Sequence, residues 1–223
     1  MSIALLEATS ATTISMPVVS STSGAIDDGL DDESLIPWRF GKDDFYRLGE
    51  QGFFESDKVC LIGGEIFKMP PPSNIHSWGV DCLSDALKSI FGKEYWVRAQ
   101  MGLDLSPDSV QIPDIAVVAG NRRSYHGQVQ NPTTAILVVE VSFSTVAADR
   151  KWKASLYARA GIADYWILNI PDRVIEVRRD PQPDPEQAFG FGYASMTIHK
   201  VGDVVSPLAV PDARIAVADV LPN

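Results

Sequence analysis

The chain has 223 residues, 45% of them hydrophobic, and a formal net charge of −10. That length exceeds one domain of roughly 150 residues by a short extension, and no apolar run approaches the ~20 residues of a membrane helix. Net acidity counts against a protein that depends on clustered Lys and Arg to hold phosphates.

Residues 1–36 carry Glu7, Asp27, Asp28, Asp31, Asp32 and Glu33 and no basic side chain. They are rich in Ser, Thr and Ala, have no aromatic residue, and read as a disordered acidic tail. Without those six acids, 29 acidic side chains become 23 against 19 basic, a net of −4, so the body is only mildly acidic. The first basic residue is Arg39, so no secretory n-region is present. Cys60 and Cys82 form no CxxC pattern and no disulfide framework. A cytoplasmic protein is the expectation, with one ordered domain over 37–223.

In chain order, KDDFYRLGEQG (42–52) predicts a short helix ended by Gly52. VCLIGGEIFKM (59–69) predicts two short strands joined at Gly63-Gly64, with Glu65 just after the turn. PPPSN (70–74) breaks the chain, and 75–92 predicts a helix with Val80, Leu83, Leu87 and Ile90 on one face and Gly92 as C-cap. Residues 94–105 read as one strand, 106–109 as a turn, and QIPDIAVV (111–118) as a buried strand with Asp114 near its start. A loop is expected at 120–134. AILVVEVS (135–142) reads as a central strand covered on both faces, with Glu140 near its end. Ser144 or Thr145 caps a helix over 146–160 that stops at Gly161. Residues 164–170 and 173–179 form a hairpin, 180–187 a loop, and 191–199 with Val204-Val205 complete the sheet.

Two carboxylates on apolar strands demand an explanation, because a buried ionised carboxylate is costly unless paired or metal-bound. Asp114 lies inside the run Ile112 to Val118, although Pro-Asp is also an ordinary turn pair. Glu140 follows four aliphatic residues, and its plain alternative is a buried ion pair with Arg98 or Arg150. Two neighbouring carboxylates repel one another unless one is protonated or a cation lies between them. A magnesium ion meets that need, since it takes one or two protein carboxylates and keeps water and phosphate oxygens elsewhere. Lys153 follows on the next helix. Its plain alternative is an i,i+4 pair with Asp149 on a solvated face. Glu65 equally suits an exposed hairpin, and His76 equally suits a helix cap or a surface position. His76, His126 and His199 give no zinc pattern, and there is no Walker, GxGxxG or GxSxG motif.

Pro113-Asp114, Glu140-Val141-Ser142 and Asp149 to Lys153 resemble the motifs of the PD-(D/E)XK nucleases. The closer resemblance is to the Uma-type family of restriction endonucleases within that superfamily. It covers most of 37–223, including GGEIFKMPPPSNIH (63–76), YARAGIADYWILN (157–169) and SPLAVPDARIAVADVL (206–221). The resemblance implies an α/β restriction-endonuclease-like fold, a mixed central sheet flanked by helices with added hairpins. It implies a metal-dependent endonuclease acting on DNA, with Mg2+ or Mn2+ held by Asp114 and Glu140. Catalytic roles fall on Asp114, Glu140, Lys153 and Glu65, and accessory roles on His76 and Ser142. Ser142 stands where the superfamily pattern has its lysine, and the Uma-type branch moves that lysine onto the following helix, at Lys153. DNA is the implied partner, no membrane is, and a homodimer is compatible with it. A non-catalytic nucleic-acid- or protein-binding module on the same fold is the competing expectation.

Overall fold

Short strands, one long helix and a composite helical crossover place the residues of interest, and each follows from a short stretch of sequence. The computed structural model describes residues 36–126 and 131–222. The expected tail therefore lies outside the described residues except for Ile36, as does part of the expected loop at 120–134. Arg39–Asn223 pack as one unit.

The first helix, α1, spans Lys42–Glu50. Strands β1 (Val59–Ile62) and β2 (Glu65–Lys68) form the expected hairpin, with Ile62 opposite Glu65. Gly63 and Gly64 both have positive φ, 55° and 82°, which a two-residue hairpin turn matched to strand twist requires. Helix α2 covers Asn74–Phe91, its start capped by the Ser73 hydroxyl and its end by Gly92 at φ 62°. Val80, Leu83 and Leu87 are buried on the face that the sequence spacing marks.

The stretch read as one strand over 94–105 is two, β3 (Tyr95–Ala99) and β4 (Leu103–Ser106), in different sheets. The break falls at Gln100, which has φ 52° and donates its backbone N–H to the Asp114 carbonyl at 3.0 Å. The run 111–118 also divides. β5 is Ser109–Gln111 and β6 is Ile115–Ala119, so Asp114 sits in the joint immediately before β6 rather than within a strand. Pro113 lacks the N–H that a continuous ladder would use. A 3-10 turn, Arg122–Tyr125, follows.

β7 (Leu137–Ser142) is buried at every position. The helix expected over 146–160 is composite. A turn of α-helix, α3 (Val146–Ala148), passes into a π-helical turn at Asp149–Lys153 and then into α4 (Ala154–Arg159). No side chain caps α3; the Thr145 hydroxyl goes to Asp149 instead. β8 (Asp164–Asn169), β9 (Val174–Pro183) and β10 (Phe191–Lys200) follow. β9 extends into the stretch read as a loop over 180–187, because Pro181, Gln182 and Pro183 still pair with β10. β11 (Val204–Val205) does not finish that sheet; it pairs with β12 (Ile215–Ala216) apart from it.

The central sheet has six strands in the order β10-β9-β8-β7-β6-β3, with β7 and β8 parallel and every other pair antiparallel. A parallel pair requires a crossover, supplied by the α3–α4 segment. A second sheet runs β2-β1-β5-β4. Alternation sorts the central strands. Ile115, Val117, Leu137, Val139 and Val141 pack with Leu83 and Leu87 on the α2 side. Ala116, Val118 and Val138 pack with Tyr157 and Tyr165 on the α4 side.

Helix α2 approaches β7 closely at Gly79, where an added Cβ would stand 3.0 Å from Val141 Cγ1 and 3.4 Å from Leu168 Cδ2. Gly49 in α1 has open surroundings, the nearest atom to an added Cβ being Phe54 Cδ2 at 3.7 Å. The two helical glycines should therefore respond oppositely. Gly79→Val should lower unfolding free energy by about 1–3 kcal/mol through overpacking. Gly49→Ala should raise it by up to roughly 1 kcal/mol through helix propensity. Urea titration of both variants checks the contrast.

Candidate active site

The paired register of β6 and β7 sets Ile115 opposite Val139 and Ala116 opposite Val138. Continued by one step, it brings Asp114 opposite Glu140, on the face away from α2. Both carboxylates line one cleft of about 320 Å3, together with His76, Lys153, Cys60 and Gln111. Glu140 is 2% exposed and Asp114 is 9% exposed, so the carboxylates form its floor.

Asp114 Oδ2 accepts the Val141 backbone N–H at 2.9 Å and lies 3.0 Å from His76 Nε2. His76 belongs to the first turn of α2, where Ser73 supplies the cap and leaves the imidazole free to reach across. The close seat of α2 at Gly79, one turn on, gives it that reach. Burial works against the Asp114 charge. The His76 contact, the Val141 N–H and the Lys153 ammonium outweigh it and hold the carboxyl below its usual range.

Glu140 Oε1 accepts from the Tyr157 hydroxyl at 2.6 Å, and Oε2 lies 3.1 Å from Lys153 Nζ. Burial pushes Glu140 up to about 8, and the Lys153 charge opposes that shift while Asp114 and Asp149 add to it. Lys153 is 16% exposed and also meets Asp149 Oδ1 at 2.8 Å. Burial disfavours its charge, but Glu140 and Asp149 more than restore it, so the ammonium persists through the neutral range. The pair with Asp149 is thus real but buried, not the solvated helix pair that i,i+4 spacing alone suggests. Neither arginine considered as a partner for Glu140 reaches it. Arg150 Nε bonds Glu176 at 2.8 Å, and the Arg98 guanidinium lies over the Trp96 ring at 4.8 Å.

Ser142 does not face the cleft carboxylates. Its hydroxyl donates to Asp149 Oδ2, which the Thr145 hydroxyl also reaches at 2.7 Å. Asp149 is 1% exposed and anchors Lys153 from within the π-helical turn. Such turns recur at functional sites. Glu65 departs from expectation. It starts β2, the outer strand of the second sheet, where its side chain is 54% exposed and pairs with Arg39. It is absent from the cleft lining. Cys60, on the inner strand β1, points there instead, and burial raises its thiol to about 11.

Sequence reasoning missed Asp149 as a buried anchor, Tyr157 as the donor to Glu140, and Cys60 and Gln111 in the cleft wall. The only advance signal was modest: Asp149 recurs at i,i+4 to Lys153, and Cys60 alternates with Leu61 in a short apolar strand. Among the described residues, no three His, Cys, Asp or Glu side chains gather around one point. Asp114 and Glu140 are the cleft carboxylates that could hold a magnesium-type cation. Glu140 and Asp149 meet one ammonium, Asp114 lies in the same cleft as Glu140, and burial raises Glu140 above its ordinary value. Asp149 does not line the cleft, which leaves Asp114 and Glu140, and two carboxylates suffice for magnesium.

A mixed sheet with a carboxylate pair at the β6–β7 joint and a helical crossover is the restriction-endonuclease-like fold. A solved structure shares it. A crystal structure titled a putative nuclease belonging to DUF820, from Anabaena variabilis, aligns at a TM-score of 0.59 and 14% identity. The alignment covers 81% of this chain and 97% of that one. The family model Uma2, described as "Putative restriction endonuclease", matches residues 43–218, and the chain belongs to that family. No curated protein matches the sequence.

The Glu140 shift sets a pH dependence. Its folded value, about 8, stands above its ordinary 4.5, so the unfolded chain releases the proton first as pH rises. Stability from this group is complete below the ordinary value and is lost up to the folded one. Without added metal, the Tm should fall between about pH 5 and pH 8. Glu140→Gln should flatten that slope and be the more stable protein at the upper end. Thermal scans across pH in EDTA check it.

Proposed function

We propose that this chain is a divalent-metal-dependent endonuclease that hydrolyses DNA phosphodiester bonds at the Asp114–Glu140–Lys153 cleft. The observation that carries this reading is Lys153 Nζ, held 3.1 Å from Glu140 in a cleft shared with Asp114. An ammonium next to a carboxylate pair suits a phosphate undergoing attack by water. Asp114 and Glu140 would hold Mg2+ or Mn2+, which when bound polarises the phosphate and lowers the pKa of a coordinated water. The chain's own residues do the rest. His76 and the Val141 N–H fix the orientation of Asp114. Tyr157 fixes Glu140. Asp149, itself held by Ser142 and Thr145, keeps Lys153 directed at the reacting phosphate, where its charge offsets the growing negative charge. Family membership and the shared fold support a nuclease.

One observation favours a non-catalytic module instead. Glu140 already has a partner on each oxygen, Tyr157 and Lys153, so the cluster holds together without a metal.

Plasmid nicking separates the two. With Mn2+, the wild-type chain should nick supercoiled DNA, and Asp114→Asn and Glu140→Gln should not. Lys153→Ala should keep its Mn2+-induced rise in Tm and lose roughly 100-fold or more in rate, the scale of one lost charged transition-state contact. Lys151→Ala should be near neutral. Absence of a metal-induced Tm shift, with no nicking in any divalent metal, would leave the binding module as the better account.

A further inference from the structure

The cleft is more aromatic and less basic than a groove for duplex DNA. Its floor is the carboxylate pair; its mouth carries Phe67 and Phe143, 41% and 47% exposed, and the half-buried Trp152. Phe67 and Trp152 face one another, ring centroids 6.3 Å apart. Phe143 follows Glu140 by three residues. Large apolar rings left in water beside a polar floor call for a ligand with flat faces and a charged edge.

Charge narrows the ligand further. Three lysines line the cleft. Lys153 is engaged by Glu140 and Asp149, and Lys68 meets Asp57 at 2.6 Å. Among the described residues, Lys58 is the one cleft lysine without an acidic partner. A duplex-binding surface typically neutralises about 6–10 phosphates. This cleft offers one or two such contacts, on a chain of net charge −10.

Size points the same way. A volume of about 320 Å3 lies at the low end of the range, roughly 300–1,000 Å3, that encloses one small molecule. For a scissile phosphate to reach floor carboxylates that are 2% and 9% exposed, its nucleotide must enter the cleft. A base still stacked and paired in a duplex cannot follow it. An unpaired one can, and the aromatic rings then replace the stacking it has lost.

We propose that the cleft takes an unpaired nucleotide, with its base stacked on Phe67 and Phe143 and its phosphate over Asp114 and Glu140, so that single-stranded or locally opened DNA is the substrate class. The inference rests on the nuclease reading and adds what that reading leaves open. Affinity comes from stacking more than from phosphate neutralisation, which predicts a weak salt dependence.

Fluorescence anisotropy tests it, using a labelled single-stranded dT oligonucleotide and a duplex of equal length, with Ca2+ present to occupy the carboxylates. The single strand should bind at least tenfold more tightly. With about two phosphates neutralised, the slope of log K against log salt should be no steeper than about −1.5. Phe67→Ala and Phe143→Ala should each weaken single-strand binding about tenfold or more, as loss of one stacked base predicts. Both rings are more than 40% exposed, so either variant should remain folded with only a small fall in Tm. Phe53→Ala, an exposed ring outside the cleft, should bind as wild type. Equal or tighter duplex binding overturns the proposal, as do wild-type affinities in both cleft variants. Cleavage of the same single strand and the same duplex, with Mn2+ in place of Ca2+, reports on the nuclease reading alone. Duplex preference with active cleavage removes this inference and keeps the nuclease. Single-strand preference without cleavage keeps the binding site and removes the nuclease.

Discussion

The Lys153 ammonium lies between two carboxylates that the fold has taken almost wholly out of water, Glu140 on a central strand and Asp149 on the following turn. Desolvating three charges is expensive, and a buried ion pair seldom repays that cost in stability. The surrounding structure is arranged to lower it. Tyr157 donates to Glu140, while Ser142 and Thr145 donate to Asp149. Asp114 adds a third carboxylate to the same pocket. Burial nevertheless raises Glu140 above its ordinary value, with Asp114 and Asp149 adding to the shift. A well-packed apolar trio would be easier to bury; under the proposed function these charges would receive a cation and a phosphate.

The sheet makes that arrangement possible. The antiparallel register of β6 and β7 brings two carboxylates together from residues far apart in sequence. The parallel step from β7 to β8 forces a crossover, and the crossover delivers Asp149 and Lys153 above the same strand end. The π-helical turn holds that pair inside the protein, where a regular surface helix would leave it in solvent. On the opposite face, the absence of a side chain at Gly79 seats α2 against Val141, and this brings His76 within reach of Asp114. The five groups come from four places in the chain, the joint before β6, β7, the π-helical turn and α2.

The acidic balance of the chain acquires a meaning from the cleft. A protein that gripped duplex DNA by its backbone would carry its lysines and arginines toward the site. Here most basic groups are committed elsewhere. Arg150 and Arg178 hold Glu176, and Arg179 holds Asp164. Three rings and three lysines line the cleft, and two of those lysines are already paired with acids. Under the proposal of an unpaired nucleotide in the cleft, recognition would rest more on contact with flat bases than on long-range attraction.

The sequence alone determined the fold class and the residues that define it. Helical spacing at Val80, Leu83 and Leu87 marked α2, the aliphatic run before Glu140 marked a central strand, and Gly63-Gly64 marked the hairpin. These are local signals, set by periodicity and by backbone freedom. The same signals located Asp114 and Glu140, because a charged residue inside an apolar pattern stands out without any knowledge of its neighbours, whereas Lys153, one of three basic residues in its turn, was marked by the family resemblance. Other features were decided only in three dimensions. Glu65 and Cys60 lie in one hairpin, and which of them faces the cleft depends on which strand is inner, a property of sheet order. Gln100 ends one strand and starts a passage between sheets, although nothing in 94–105 departs from a continuous strand pattern. Asp149 and Lys153 make the same i,i+4 pair on a surface helix or a buried one, and only the packing of the crossover against β7 and β8 distinguishes them. Burial and proximity belong to the packed chain. Residue type and spacing constrain them without fixing them, and at this site their combination sets the charge of every group.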